Sequence, residues 1–277
     1  MDDRHDAQAL TGGIQWHQRW FADYAAAKTA EAGADAAPLR LKTEHTRRVL
    51  ANAWELVTAE GFPPRLARAA LLAALYHDVG RFEQYLRHRT FNDRDSGNHG
   101  ILGARVLRHE GCLQGEVDKN MIGAAVALHN RFALPRRLPA DLRRITLVVR
   151  DADKLDIVRL MDEQLNSRAD CASTVVFGLP DDPNLASARV IEAALAGRVA
   201  SYADLRSVGD FRLLLATWVF DMNFATSRRR FIVDGHARRL VAALPDDSPQ
   251  APARAALLAR FEALFLEQSD VHSHDVE

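Results

Sequence analysis

Apolar residues recur at spacings of three and four along most of the chain, and no sustained alternation of apolar and polar positions interrupts them. The pattern predicts an all-α protein. A first helix is expected over 14–31, where Trp16, Trp20 and Tyr24 form a stripe that docks on the core. After a loop from Gly33 to Pro38, a second helix runs from about Leu41 to Glu60 and breaks at Gly61-Phe62-Pro63-Pro64. A third starts near Arg65, and residues 82–98 read as a polar, turn-rich loop. Helices are expected from His99 to Gly111, from Asp118 (as N-cap) to about Arg131, and from Asp141 to about Arg168. Val175, Val176 and Phe177, followed by Pro180 and Pro183, mark at most a short hairpin near 173–180. Four further helices are expected at 186–199, 207–227, 229–245 and 251–268.

One run stands out. Leu71-Leu72-Ala73-Ala74-Leu75-Tyr76 is apolar and helical, then ends in His77-Asp78-Val79-Gly80-Arg81. Leu66, Ala70, Ala73 and His77 share a helical face, so the imidazole points where the apolar face points. Gly80 is placed as the helix stop. Two other His-Asp pairs, His5-Asp6 and His274-Asp275, lie in polar termini with no apolar helix before them.

Composition narrows the class. The chain has 277 residues, is 48% hydrophobic and 26% charged, and carries a formal net charge of −1, so no global field draws it to nucleic acid or an anionic membrane. Its two cysteines, Cys112 and Cys171, do not have thiolate zinc-site spacing and fit a reducing compartment. The apolar stretch from Phe211 to Phe224 is interrupted by Arg212, Asp221 and Asn223 and falls short of the roughly 20 residues of a membrane span. The start, Asp2-Asp3-Arg4-His5-Asp6, is no signal peptide, and the expected location is cytoplasmic.

Metal-competent side chains then recur on apolar helical faces. His45 shares a face with Val49, Asn52 and Leu56; His99 with Leu102, Val106 and Glu110; His129 with Ile122 and Val126 or Ala125; Asp153 with Leu142, Ile145 or Thr146, and Val149. With His77 and Asp78, five helices each deliver one or two such groups inward. A buried carboxylate needs a cation, and a divalent metal satisfies the whole set at once.

The order His45, His77-Asp78, His99, His129, Asp153 resembles the HD superfamily of metal-dependent phosphohydrolases. Further segments are similar to a bacterial subgroup of it: His77 to Glu83, Phe91-Asn92-Asp93 with Ser96 and His99, Asp151-Ala152-Asp153-Lys154-Leu155-Asp156, and Trp218 to Phe224. The likeness covers most of 40–230 and lacks the Gly-Tyr-Pro signature of the cyclic-di-GMP phosphodiesterase branch. It implies an HD helical bundle with added N- and C-terminal helices. The expected layout is an N-terminal helix over 1–38 packing on the core, the HD core over 39–170, a helical extension of the same domain over 171–268, and a disordered tail over 269–277. It also implies a ligand set: His45, His77, Asp78 and Asp153 for one ion, with Asp78 bridging to a second held by His99 and His129.

Imidazole and carboxylate donors without thiolate suit Mn²⁺, Fe²⁺ or Zn²⁺, with Mg²⁺ at the weaker site. The expected function is hydrolysis of a phosphate ester, mono- or diester, of a nucleotide or related small molecule by a metal-activated hydroxide. Asp78, Arg81 and Lys154 are the catalytic candidates. Arg81, Lys154, Asn130, Arg131, Asp93 and Ser96 are the candidates for substrate contact, while Arg228-Arg229-Arg230 reads as a solvated helix end. Two other functions share the ligand set: a di-iron oxygenase, and a non-catalytic nucleotide-sensing module. A small phosphorylated partner is expected, with a homodimer as an option and no membrane or nucleic-acid partner.

Overall fold

The structure is a computed structural model, and it describes residues 3–166 and 178–273. All regular elements among the described residues are helices, as expected. Residues 173–177 of the expected hairpin lie outside the described residues. The chain divides into two compact units, 1–156 and 157–277.

In the first unit, α1 (Asp3–Ala32), α2 (Ala37–Ala59), α3 (Pro64–Tyr76), α4 (Val79–His88), α6 (His99–Glu110) and α7 (Lys119–Leu128) surround a common core. A four-residue α5 (Asp93–Ser96) precedes α6, and α8 (Ala140–Asn166) carries the unit boundary. α3 is the centre: from Leu66 onward it is buried all round except at Arg68, as its nearly unbroken apolar composition requires. α1, α2 and α7 pack against it. Asn52 ties α2 to α8 by donating to the Ala152 carbonyl at 3.0 Å.

Three readings of the first unit need correction. The aromatic stripe of α1 docks only in part: Trp20 packs 5.7 Å from the Tyr76 ring and Tyr24 5.9 Å from the Phe82 ring, but Trp16 is 53% exposed, and the fully buried line is Ile14, His17, Phe21 and Ala25. His17 earns its burial by bonding Tyr76 Oη at 2.9 Å and Glu116 at 3.1 Å. Residues 82–88 are not loop but α4, whose Val79, Phe82 and Tyr85 are buried. Gly80 is therefore no helix stop. It lies inside α4 where a Cβ would come within 2.3 Å of the His99 carbonyl oxygen and 2.5 Å of the Gly103 nitrogen, so glycine is what lets α4 and α6 touch. Asp118 does sit at the N-cap of α7 but makes no side-chain cap bond; its carboxylate accepts from Arg65 instead.

In the second unit, α9 (Ala188–Leu195), α10 (Val208–Thr217), α11 (Ala225–Val233), α12 (His236–Ala242) and α13 (Ala251–Ser273) follow. The helix expected over 207–227 is broken: α10 tightens into a 3₁₀ turn at Trp218–Asp221 before α11 begins. Asp210, fully buried, accepts from the Ser187 and Arg206 amides and from Gln250 Nε2, which knots α9, α10 and α13 together. No described helix is long and apolar enough to cross a membrane.

Candidate metal centre

His77 and Asp78 occupy the break between α3 and α4. The chain leaves helical geometry at Asp78, with φ −102° and ψ 11°, so the two side chains emerge at the inner end of the buried helix. Around them the structure gathers His45 from α2, His99 from the first turn of α6, His129 from the C-cap of α7 and Asp153 from α8. All four histidines are less than 5% exposed.

Two groups form. In the first, His45 Nε2 lies 3.0 Å from Asp153 Oδ1 and 3.3 Å from His77 Nε2. In the second, His99 Nε2 lies 3.1 Å from His129 Nε2 and 3.4 Å from Asp78 Oδ1. Candidate donor atoms within each group all lie within 4.8 Å of one another. Asp78 faces both: its Oδ2 is 3.6 Å from His45 Nε2 and 3.5 Å from His77 Nε2, while its Oδ1 faces His99.

The ring nitrogens pointing away from the centre settle the tautomers. His77 Nδ1 meets the Ala74 carbonyl at 2.8 Å and His129 Nδ1 meets the Val126 carbonyl at 2.7 Å. A carbonyl only accepts, so both Nδ1 atoms carry the proton. His45 Nδ1 likewise donates to Asp156 at 2.7 Å, and His99 Nδ1 to Asp93 at 2.8 Å. In its neutral form each ring then turns the Nε2 lone pair inward. Two such lone pairs facing one another at 3.1–3.3 Å share no proton, and the contact is repulsive without a cation between them. Inward Nε2 with outward Nδ1–H fixed by carboxylate or carbonyl is the arrangement of metal-ligating histidine. The donor set therefore fits divalent ions.

The electrostatics favour the neutral ring at His99 and His129, and the acids beside His45 favour its charged form until a cation takes their place. Burial, with the His99 and His77 rings beside it, pushes His129 down to about 3. Burial and Arg81 also lower His99, against the pull of Asp93. Burial and Lys42 work to lower His45, yet Asp153 and Asp156 outweigh them and raise it. Against burial, Lys42, His77 and Arg81 hold the Asp78 carboxyl well below the usual carboxylate range. His45 and His77 do the same for Asp153.

The remaining candidates are placed as follows. Arg81 spends Nη1 on Gln84, the Phe91 carbonyl and Asp93, with its Nε 3.4 Å from Asp78 Oδ1. Asp93 bonds His99, Arg81, Gln84 Nε2 and Asn130 Nδ2, and sits slightly depressed, at about 2. Burial opposes that shift; the His99 contact and Arg81 drive it. Ser96 Oγ donates to the Asn92 carbonyl and accepts from Gln84. Thus Asp93, Asn130 and Ser96 support His99 from behind. Arg131 is exposed, and its carbonyl, like that of His129, accepts from Arg150. Lys154 is buried next to Asp153 in sequence. Arg228–Arg230 belong to the second unit, whereas all six candidate ligands belong to the first.

Sequence reasoning overlooked three contributors: Lys42, whose Nζ is 2.6 Å from Asp78 Oδ2; Asp156, which holds His45; and Gln84, fully buried and bonded to Asp93, Ser96 and the Gly97 carbonyl. The signal for the first two was spacing. Lys42 precedes His45 by three residues and Asp156 follows Asp153 by three, so each shares its ligand's helical face.

Residues 43–159 match the family model for the HD domain, and all six candidate ligands fall within that span. No curated protein and no solved structure matches the chain. This stretch is thus similar to the HD domain, whose family is generally one of metal-dependent hydrolases.

Proposed function

We propose that the HD domain of residues 43–159 hydrolyses a phosphate ester of a nucleotide or related small molecule, with His45, His77, Asp78 and Asp153 holding one divalent ion and Asp78, His99 and His129 a second. The observation that carries this reading is the commitment of all four Nδ1 protons to acceptors outside the centre, which leaves four Nε2 lone pairs and two ionised carboxylates converging. Phosphate as the substrate class comes from the HD likeness; the donor chemistry supports the metal. Bound ions of this kind supply Lewis acidity to phosphoryl oxygens and lower the pKa of water toward neutrality.

The chain's own groups do the positioning. Asp156 and Asp93 fix the tautomers of His45 and His99 and raise the basicity of their inward nitrogens. Arg81 ties the loop at Phe91 and Asp93 to the start of α4, so the second group is held by a braced segment rather than a free one. Asp78, buried and ionised, offers one oxygen to each group.

The test is a panel of phosphomonoesters and phosphodiesters turned over by metal-reconstituted protein, with Asp78→Ala as control. Turnover in the native chain and its loss in the variant are expected. Turnover that survives Asp78→Ala would remove the reading.

A further inference from the structure

Two protein cations already reach Asp78: Arg81, whose Nε lies 3.4 Å from Oδ1, and Lys42 on the other oxygen. Lys42 Nζ lies 2.6 Å from Asp78 Oδ2, the oxygen that faces His45 and His77. Asp78 is 2% exposed, and an unpaired carboxylate there is costly, so the ammonium neutralises it. Lys42 itself is only partly buried. It sits three residues before His45 on α2, keeps some exposure, and has its Nζ 5.6 Å from the centre of the Phe91 ring, over the face of the ring. That ring carries Arg81 at 5.7 Å as well, and the Phe91 carbonyl is held by Arg81, so the platform is fixed.

We propose that Lys42 is an exchangeable counter-ion for this carboxylate: it neutralises Asp78 in the metal-free protein, yields that oxygen when a divalent ion is bound, and then presents its ammonium, steadied over Phe91, to the anionic substrate. The inference rests on the two-ion reading above. Its physical basis is like-charge repulsion: an ammonium 2.6 Å from Asp78 Oδ2 cannot keep that place beside a doubly charged ion on the same oxygen. Four methylenes let Lys42 leave Asp78 while its ammonium stays over the Phe91 face, where cation–π attraction holds it. Ion loading and anion binding are thereby coupled, and phosphate meets a free lysine only after the ion is in place. Linkage of this kind is reciprocal, typically about 5–150-fold.

The experiment is calorimetric titration of Mn²⁺ into metal-free native protein, Lys42→Met and Lys42→Gln, followed by inorganic phosphate into the loaded forms. Both variants are expected to bind Mn²⁺ about tenfold more tightly than the native chain, within the linkage range above. They are also expected to melt lower when metal-free but level with the native protein when loaded, and to bind phosphate more weakly. Native-like or weaker Mn²⁺ affinity in both variants, with normal uptake by the native chain, would overturn the role of Lys42. Failure of the native chain to take up Mn²⁺ at all would instead fell the two-ion reading, and this one with it.

Discussion

Replacing Asp156 with asparagine separates charge from geometry at the first metal group. Asp156 is 2% exposed and accepts from His45 Nδ1 at 2.7 Å. The amide oxygen of the introduced asparagine would still accept that proton, so the tautomer survives while the negative charge is lost. Removing a partner of this kind typically costs 10–100-fold in metal affinity, or about 1.4–2.7 kcal/mol. Burial leaves little solvent screening, so the upper half of that range applies. Asp93→Asn is the matched perturbation at the second group. Asp93 is more exposed, its side chain 31% accessible, and Arg81, Gln84 and Asn130 share its charge. A loss nearer tenfold is expected there. The assay is competition for Zn²⁺ or Mn²⁺ against a chelating dye, with melting of the metal-free proteins as the control for folding. Each variant should weaken one of two binding steps and leave the other. Asp156→Asn with both affinities within about twofold of native, or with both steps weakened alike, would refute the claim that these carboxylates serve separate sites.

Other outcomes follow from the same geometry. Gly80→Ala puts a methyl group 2.3 Å from the His99 oxygen and 2.5 Å from the Gly103 nitrogen, backbone atoms that cannot rotate aside, so α4 and α6 must part; a loss of about 3 kcal/mol or more in chemical denaturation is expected, together with loss of the second ion. In the metal-free protein the depressed His129, at about 3 against 6.5, gives stability that is complete above pH 6.5 and drains away as pH falls. The native chain should therefore lose about 2 kcal/mol more than His129→Gln between pH 6.5 and 5, read by urea denaturation in chelator. Arg150→Met frees the carbonyls of His129 and Arg131 from their shared donor; proteolysis after Arg131 should quicken, and the second-site affinity should fall more than the first.

The all-helical class and the convergence of six metal-competent side chains were legible because both leave periodic traces. Imidazoles and acids at His45, His77, His99, His129 and Asp153 each interrupt an apolar face at helical spacing, and burial of such groups demands a common cation. What stayed hidden obeys local rules less well. Gly80 has the poor helix propensity of a stop signal, yet it continues α4 because the approach of α6 leaves no room for a Cβ. Trp16 drew the docking face of α1 toward bulk, whereas the buried line passes through small Ala25 and polar His17, whose burial depends on Tyr76 and Glu116 far away in sequence. Lys42 and Asp156 look like ordinary surface charges in one dimension. Only the fold brings the first onto Asp78 and the second onto His45.

The claim on which the rest depends is that the two groups are ion sites joined by Asp78. Metal content of chains equilibrated with Mn²⁺ or Zn²⁺ and freed of excess tests it most directly. Two ions per native chain are expected, one after His99→Ala with His129→Ala, and none or a fraction of one after Asp78→Ala. A native chain that retains no ion, or an Asp78→Ala chain that retains both, would contradict the account.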